Sequence, residues 1–483
     1  MSETARILSL LPPGHGKLTA DSRAVRVGDV FCAFPGTHGD GRNYIQAALD
    51  AGASAVLAEE AGFLAHFSGD KVVKVPNLRR RYSFLVELNA LRPSSELRLI
   101  GVTGTNGKTS TALWIAQALE TLGVSCGVIG TLGAGRLGEL KDIGNTTPDA
   151  SIVASSLSKM LRAGCKVAAM EVSSHALEQH RVDGFAFQMG VFTNLTRDHL
   201  DYHGTMEAYA TAKARLFGFT TMRWAILNAD DPACDRMAHS TYADVLRYSA
   251  SGNRAAQISV RSARCTRAGI EITADTPKGS VQAKVPVLGG FNVDNIAAVI
   301  ACLCALEYDA IAISRAISKL TAVPGRMQRV DATDEPAPLV VVDYAHTPDA
   351  LEKALATLQA LGTGGALHVV FGCGGNRDAG KRPIMGEIAA RIADHVWVTS
   401  DNPRFELPRT IIDQIIAGIA SDARARTTVC IDRAQGISSA ISKAGANDIV
   451  LIAGKGHETY QDVEGVRVPF DDVAHAREAL CFA

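Results

Sequence analysis

The sequence predicts an α/β protein of three domains. Short apolar runs alternate with helical patterns along most of the chain, which is typical of strands and helices that build mostly parallel sheets. A length of 483 residues suits three domains, because a domain usually holds about 100–200 residues. Glycine is abundant, with 44 residues, and favours many tight turns. We expect the domains to span residues 1–97, 98–325 and 326–483.

Composition and charge exclude several classes of protein. The net charge of −1 argues against a nucleic-acid or anionic-membrane partner, since both require a clustered basic surface. The longest apolar run, 296–306, is shorter than the roughly 20 residues that span a bilayer, and no signal peptide is expected. The ten cysteines lack a Cys-x-x-Cys pair, so we expect reduced thiols, no zinc site and a cytoplasmic protein. We also expect a monomer.

The first domain reads as a small α/β unit. Its polar residues collect in two stretches, 21–23 and 36–43, where arginines and a histidine lie among glycines and hydroxyl groups. Glycine allows a ligand to approach the backbone closely, so these stretches suit a diphosphate or a uracil. The residues alone fit two ordinary surface loops equally well.

The most informative stretch is a phosphate loop at the start of the second domain. An apolar strand over 99–102 leads into a glycine-rich turn and then into a helical pattern over 111–116. Such a turn aims backbone N–H groups at an anion, Lys108 offers a charge to phosphates, and Thr109 offers a hydroxyl to Mg²⁺. Because Val102 stands five residues before Gly107, the spacing is a variant of the usual motif. An incidental Gly-Lys-Thr is disfavoured by the flanking strand and helix.

Two further apolar runs of this domain end in polar residues. The run 167–170 ends in Glu171, and the run 189–195 is followed by Asp198 and His199. Because open α/β sheets place ligands at the carboxyl ends of strands, we predict that Glu171 and His199 lie on adjacent strand ends and bind a divalent metal. A helix cap or a buried polar group would explain either Asp198 or His199 alone.

Three other residues have plain structural explanations. Lys213 lies in a helical pattern, where a lysine is usually solvated. Asn292 and Asn295 open an alanine-rich helix, and the residues alone favour helix caps over contacts with an adenine edge.

The third domain repeats a strand–loop–helix pattern whose strands end in polar clusters. One edge of a mostly parallel sheet is therefore expected to collect Asp343, His346, Arg377, Arg404 and Glu458. A dinucleotide site at the glycine run 372–375 is disfavoured, because the Gly-x-Gly-x-x-Gly pattern is incomplete.

Taken in order, these motifs resemble those of the Mur ligase family over nearly the whole chain. The shared motifs are residues 104–109, 145–149, 171–175, 194–199, 212–213, 343–346 and 454–458. The resemblance is greatest to the members that add the third residue of the peptidoglycan stem peptide. Residues 401–404, Asp-Asn-Pro-Arg, are similar to the signature of the members that use meso-diaminopimelate rather than lysine.

The resemblance implies a division of work between the domains. The small first domain would bind the UDP substrate, the central P-loop-type ATPase domain would bind ATP, and a Rossmann-like third domain would bind the incoming amino acid. The residues implied for ATP are Gly104, Thr105, Asn106, Gly107, Lys108, Thr109, Ser110, Asn292, Asn295, Arg326 and Asp343. Those implied for the UDP-muramoyl peptide are Ser22, Thr37, His38, Arg42, Asn145, Thr146, Thr147, Ser173, Gln179 and Arg181. Those implied for diaminopimelate are Arg377, Asp401, Asn402, Pro403, Arg404, Gly454 and Glu458.

The resemblance also implies a reaction, in which ATP activates the D-glutamyl carboxylate of UDP-N-acetylmuramoyl dipeptide as an acyl phosphate. The amino group of meso-diaminopimelate then displaces phosphate, in a step of peptidoglycan precursor synthesis. The catalytic residues implied are Lys108, Lys213, Glu171 and His199. Mg²⁺ would be held by Thr109, Glu171, His199 and a carbamate formed on Lys213.

Three alternatives differ from this interpretation. The first is the same ligase with L-lysine as third residue, but residues 401–404 are more similar to the signature of the members that use meso-diaminopimelate. A folylpolyglutamate-synthetase-like ligase would lack both the first domain and that signature. A non-catalytic nucleotide-binding protein would have lost Glu171, His199 and Lys213 together, and all three are present.

Overall fold

The computed structural model describes residues 2–37, 39–62, 70–332, 336–362 and 364–482. Within these ranges the fold is α/β, as the sequence predicts, and no helix is long and apolar enough to cross a membrane. The chain divides into two compact units. The first holds Met1–Arg261, Ala274–Val281 and Asp294–Ile317, and the second holds Ser262–Thr273, Gln282–Val293 and Ser318–Ala483.

The first unit begins with a parallel four-stranded sheet in the order β1-β2-β3-β4. Its strands are β1 (Leu18–Thr19), β2 (Val30–Ala33), β3 (Ala55–Glu59) and β4 (Val72–Val75). The helices of this region are α1 (Glu3–Leu8), α2 (Ile45–Asp50), α3 (Leu78–Asn89) and α4 (Pro93–Glu96). Every residue of β2 and β3 is buried, which explains why both strands read as continuous apolar runs.

The first unit also contains a larger sheet, and β5 (Arg98–Thr103) is a central strand of it. The other strands are β6 (Cys126–Gly130), β7 (Gly133–Arg136), β8 (Val167–Glu171), β9 (Phe187–Phe192), β10 (Trp224–Asn228) and β11 (Asp244–Ser249). Their order is β11-β10-β9-β5-β8-β6-β7, and only β7 is antiparallel to its neighbour within this set. Because β5 lies between β8 and β9, the prediction that Glu171 and His199 follow adjacent strands is wrong. The two strands flank β5 instead.

Helices cover the larger sheet and connect its strands. They are α5 (Lys108–Thr121), α6 (Ala150–Arg162), α7 (Ser174–Glu178), α8 (Leu200–His203), α9 (Met206–Ala214) and α10 (Cys234–His239). Ten of the 14 residues of α5 are buried, so this helix lies inside the unit. The division between the two units runs through β12 (Ile258–Thr266), β13 (Gly269–Thr276), β14 (Gly279–Val285) and α11 (Asn292–Ala305), and α12 (Ala310–Ile317) belongs to the first unit.

The second unit contains a six-stranded sheet in the order β15-β16-β20-β17-β18-β19, parallel except for β15. The strands are β15 (Gln328–Val330), β16 (Leu339–Asp343), β17 (Leu367–Phe371), β18 (His395–Val398), β19 (Thr427–Val429) and β20 (Ile449–Ala453). A hairpin follows, formed by β21 (Tyr460–Val463) and β22 (Val466–Pro469). The carboxyl ends of the parallel strands meet at one edge, which therefore collects the loops after β16, β17, β18 and β20.

Two layers of helix cover this sheet. They consist of α13 (Pro348–Gln359), α14 (Lys381–Ile392) and α15 (Pro408–Ala417) in one apolar cluster, and of α16 (Arg433–Lys443) and α17 (Asp472–Phe482) in another. A fully buried ion pair, Arg433 Nε to Asp472 Oδ1 at 2.7 Å, joins α16 to α17. Arg433 also donates to the carbonyl of Ala453 at 3.0 Å, so the pair is anchored to the end of β20.

Candidate active site

The loop between β5 and α5 has the geometry that a phosphate site requires. Gly107 has a φ of +81° and directly precedes α5. A Cβ at this position would lie 2.2 Å from Asn295 Oδ1, so only glycine fits. The first backbone N–H groups of α5 have no partner within the helix and carry its positive dipole end, which suits an anion.

Residues that follow β9 hold this loop in place. The backbone N–H groups of Thr105 and Asn106 donate to the carbonyl and the side-chain oxygen of Asn194, at 2.8 and 2.9 Å. The Thr193 hydroxyl donates to the carbonyl of Asn106 at 2.6 Å. The loop is therefore fixed by residues almost ninety positions further along the chain.

Lys108 turns back onto the loop that precedes it. Its ammonium group donates to the carbonyls of Gly104 and Thr105, at 2.9 and 2.8 Å. The positive charge therefore stays within the loop.

Glu171, the last residue of β8, is brought to the start of α5. Its Oε2 accepts a hydrogen bond from the Thr109 hydroxyl at 2.9 Å, and its Oε1 accepts one from the N–H of Thr131 at 2.8 Å. A Cβ on Gly130 would lie 2.1 Å from Oε1, so the carboxyl group occupies space that a side chain there would fill. Thr131 was not among the site residues predicted from the sequence. The feature that could have indicated it is its position directly after the buried strand β6.

Lys213 is buried rather than solvated, with 1% of its surface exposed. Its amine donates to the carbonyl of Gly104 at 2.7 Å and lies 4.4 Å from the centre of the Tyr209 ring. Burial lowers the pKa of Lys213 well below its usual value, and the nearby charge of Lys108 lowers it further. The two lysines predicted to be catalytic therefore share one carbonyl, and the protonated form of Lys213 is disfavoured.

His199 lies in a group of aromatic side chains on α7, α8 and α9. Its φ is +52°, its ring centre lies 4.9 Å from that of His175, and its Nε2 is 3.4 Å from Asp198 Oδ2. Burial, with the charges of His199 and His203, lowers the pKa of His175 to about 4. Among the described residues, no group of three or more His, Cys, Asp or Glu side chains is placed to hold a metal ion.

The stretch 145–149 lies beside Glu171. The Thr147 hydroxyl donates to the carbonyl of Glu171 at 2.8 Å and accepts from the N–H of Ser173 at 2.9 Å. Thr146 Oγ1 is 3.0 Å from Thr131 Oγ1, whereas Asn145 is exposed.

Gln179 and Arg181 extend this hydrogen-bonded group. Arg181 donates from Nε to Gln179 Oε1 at 3.0 Å and from Nη1 to the carbonyl of Thr147 at 3.0 Å. Five of the residues predicted for the muramoyl peptide are thus brought together, namely Thr146, Thr147, Ser173, Gln179 and Arg181.

The described first-domain residues predicted to bind the UDP substrate lie outside the strands of the small sheet. Ser22 opens a short 3₁₀ turn, and Thr37 is exposed. Arg42 pairs with Asp40 at 2.6 Å, which raises the pKa of the guanidinium. His38 lies outside the described residues.

In the second unit, the loops after β18 and β20 form a polar cluster. Asn402 donates from Nδ2 to Glu458 Oε2 at 2.8 Å. The buried ammonium of Lys455 donates to Asn402 Oδ1 at 3.0 Å and to Glu458 Oε2 at 3.2 Å. Asp401 Oδ1 lies 3.5 Å from the same ammonium, and burial raises the pKa of Asp401. Lys455 was not among the site residues predicted from the sequence. Its position between two glycines at the end of a strand could have indicated a role in the site.

Arg404 and Arg377 lie on loops that follow β18 and β17. Arg404 has a φ of +51°, donates from Nη1 to the carbonyl of Gly375 at 2.8 Å, and has Nε 3.8 Å from Asp462 Oδ2. Arg377 is exposed. Pro403 precedes Arg404, and Gly454 follows β20 with a φ of +119°.

The remaining residues predicted for ATP have structural partners of their own. The Asp343 carboxylate accepts from the N–H groups of Met327 and Ala345, at 2.7 and 2.8 Å, and burial raises the pKa of Asp343. The guanidinium of Arg326 lies 5.0 Å from the centre of the Tyr344 ring.

Asn292 and Asn295 lie in the first turn of α11, where the sequence pattern placed a helix start. Asn292 Nδ2 donates to the carbonyl of Leu288 at 2.6 Å, and Thr111 donates to Asn295 Oδ1 at 3.3 Å.

A phosphate loop with a buried carboxylate and a buried lysine at its edge is the arrangement of a nucleotide-dependent enzyme. Three family models match the chain: "Mur ligase family, catalytic domain" over 16–90, "Mur ligase middle domain" over 102–303, and "Mur ligase, glutamate ligase domain" over 325–456. The chain belongs to the Mur ligase family and is a ligase. The first two matches lie within the expected domains 1–97 and 98–325, and the third begins one residue before the expected domain 326–483. The boundaries stay a prediction.

Several known proteins of similar sequence share one name. UDP-N-acetylmuramoyl-L-alanyl-D-glutamate--2,6-diaminopimelate ligase of Chromobacterium violaceum is 46% identical over 468 residues, which cover 96% of this chain and 94% of the relative. A solved structure of a ligase of that name is 39% identical, with a TM-score of 0.73, and covers 96% of this chain and 94% of that one. Folylpolyglutamate synthase of Mycobacterium tuberculosis, complexed with ADP and AMPPCP, is 18% identical with a TM-score of 0.59. It covers 78% of this chain and 92% of its own, and this likeness shows the fold alone.

We predict that Gly107→Ala disrupts nucleotide binding, because the new methyl group would collide with Asn295 Oδ1. Affinity for ADP, measured by calorimetric titration, should fall by about tenfold or more, or about 1.4 kcal/mol. The matched control is Gly123→Ala at the other end of α5, where φ is +80° and a Cβ would meet nothing within 4 Å. That variant should show backbone strain of about 1–2 kcal/mol and unchanged ADP affinity. Equal affinities in the two variants would contradict the steric argument.

Proposed function

We propose that this ligase joins meso-diaminopimelate to the D-glutamyl carboxylate of UDP-N-acetylmuramoyl-L-alanyl-D-glutamate with consumption of ATP. The observation that carries the proposal is the meeting of Lys108 and Lys213 at the carbonyl of Gly104. This arrangement sits beside a buried Glu171 that is hydrogen-bonded to Thr109. The name shared by the similar ligases supports the choice of substrates.

The first chemical step forms an acyl phosphate. An oxygen of the substrate carboxylate attacks the γ-phosphorus of ATP, a new P–O bond forms, and the bond to the β-phosphate oxygen breaks to release ADP. Both reactants are anions, so positive charge at the loop lowers the barrier. The ammonium of Lys108 and the N-terminus of α5 supply that charge from this chain.

The second step forms the amide bond. The neutral amino group of the incoming amino acid attacks the acyl carbon, inorganic phosphate leaves, and the amine loses a proton. Asn402 and Glu458 are the proposed partners of one end of the diamino acid, and Lys455 holds both in place. Arg404 is the proposed partner of a carboxylate, since its planar fork suits bidentate pairing.

The chemistry of the donor set fits Mg²⁺ and a carbamate on Lys213. Carbamate formation requires a neutral amine, whose nitrogen bonds to the carbon of carbon dioxide with loss of one proton, and burial shifts the pKa of Lys213 in favour of that form. Thr109, Glu171, His199 and the carbamate of Lys213 would supply the oxygen and nitrogen ligands of Mg²⁺. Bound Mg²⁺ would offset the negative charge of the phosphates. We assign the enzyme to the cytoplasm, where ATP and its nucleotide-sugar substrate are found, and expect a monomer.

The direct test is release of phosphate by the unmodified enzyme. UDP-N-acetylmuramoyl-L-alanyl-D-glutamate and ATP are supplied with meso-diaminopimelate in one assay and with L-lysine in another. We expect turnover with meso-diaminopimelate and little with lysine. Preference for lysine would overturn the amino-acid assignment. Absence of phosphate release with both amino acids would overturn the assignment of the UDP-linked dipeptide as the substrate.

We predict that Lys213→Ala loses both the carbamate and nearly all turnover. Enzyme equilibrated with ¹³C-bicarbonate should show a carbamate resonance that the variant lacks. The signal should weaken as pH falls through the lowered pKa of Lys213, because protonation removes the reactive amine. Lys159→Ala, which changes an exposed lysine of α6, is the control and should keep both signal and activity. An active Lys213→Ala enzyme would refute the assignment.

We predict that Arg404→Ala weakens binding of meso-diaminopimelate. Diaminopimelate differs from lysine by a second carboxylate, and loss of its charged partner should raise the KM by about tenfold to a hundredfold, or 1.4–3 kcal/mol. The KM for ATP should change little. Arg409→Ala alters an exposed arginine on α15 and is the control. An unchanged KM for meso-diaminopimelate would show that Arg404 does not bind it.

A further inference from the structure

A buried arginine of α14 lies behind the loops proposed to bind the amino acid. Arg382 is 1% exposed and donates four hydrogen bonds. Two reach the carboxylate of Glu406, at 2.8 and 3.0 Å, one reaches Gln414 Oε1 at 2.7 Å, and one reaches the carbonyl of Gly374 at 3.1 Å. Its partners therefore lie on both the loop after β17 and the loop after β18.

Glu406 ties these two loops together from the other side. Besides Arg382, its carboxylate accepts a hydrogen bond from the N–H of Asn376. Asn376 Oδ1 in turn accepts from the N–H of Phe405 at 3.0 Å. Side chain and backbone of each loop are thus bound to the other.

Gly375 lies at the centre of this connection. Its N–H donates to the carbonyl of Asn402 at 2.9 Å, and its carbonyl accepts from Arg404 Nη1 at 2.8 Å. A Cβ on Gly375 would lie 1.9 Å from the carbonyl oxygen of Pro403, so the loops are in direct backbone contact. The carbonyl that orients the Arg404 guanidinium follows directly after the one held by Arg382.

The backbone of Arg404 needs this support. Its φ of +51° lies in a region that non-glycine residues rarely adopt, and such a conformation persists when surrounding contacts hold it. The contacts on one side are with Asp462 and Glu464 of the hairpin region, through backbone hydrogen bonds of 2.9 and 2.7 Å. Those on the other side come from the loop that Arg382 and Glu406 fix.

We propose that Arg382 and Glu406 are positioning residues that set the orientation of Arg404 and thereby the preference for meso-diaminopimelate over lysine. The inference rests on the proposed function, because it assigns the pair to the selection of that substrate. Neither residue is proposed to contact the amino acid. Both act through the Gly374–Asn376 backbone. By fixing this backbone they fix the position of the Arg404 guanidinium.

The test is Glu406→Gln, which keeps the shape of the side chain and removes its charge. We expect the KM for meso-diaminopimelate to rise by about tenfold, and the ratio of kcat/KM for meso-diaminopimelate to that for lysine to fall by a similar factor. The KM values for ATP and for the UDP-linked dipeptide should stay within about twofold of those of the unmodified enzyme. Arg382→Lys, which keeps the charge but loses the fork, should give a smaller change in the same direction.

The same helix offers a matched control. Arg391, also on α14, pairs with Glu352 of α13 at 2.7 Å, and both side chains are about half exposed. Glu352→Gln removes the same kind of pair from the same helix without touching either loop, so it should leave all three KM values and the substrate ratio unchanged. Circular dichroism checks that each variant is folded. If Glu406→Gln does not fold, the substrate ratio of Arg382→Lys decides the test.

The outcomes separate the inference from the proposed function. A folded Glu406→Gln enzyme with an unchanged substrate ratio, or with all three KM values raised equally, would overturn the positioning role while the unmodified enzyme still uses meso-diaminopimelate. An unmodified enzyme that does not use meso-diaminopimelate would overturn the proposed function itself. A selective fall in the substrate ratio supports the inference.

Discussion

The site of the first unit depends on the hydrogen bond from the buried amine of Lys213 to the carbonyl of Gly104. Lys108 donates to the same oxygen, so one carbonyl accepts hydrogen bonds from two amino groups. Two positive charges at such a distance would repel, and removal from water further disfavours the charge on Lys213. Burial and the neighbouring charge thus disfavour the protonated form of Lys213.

The order of the sheet explains why these groups meet. Because β5 lies between β8 and β9, the phosphate loop has Glu171 on one side and the segment from Thr193 on the other. Glu171 fixes the start of α5 through Thr109, and Asn194 fixes the loop through Asn106. The backbone of the loop is therefore held by residues next to both neighbouring strands.

The second unit uses buried cations in another way. Lys455 keeps its polar partners Asn402 and Glu458 together, and Arg382 connects the loops on either side of Arg404. In both cases a buried charge is acceptable because several oxygens surround it. The positions of the polar side chains in these loops are therefore determined by two buried cations, Lys455 and Arg382.

The sequence by itself determined the α/β class, the phosphate loop, the strand ends and the family resemblance, because these follow from local patterns of apolar residues, glycines and polar motifs. The tertiary structure decided which groups meet. The contacts of Thr109 with Glu171 and of Lys213 with Gly104 join residues 62 and 109 positions apart. No local pattern contains the strand order that creates them, and the same pattern that suggested a solvated helical lysine gave no sign of its burial.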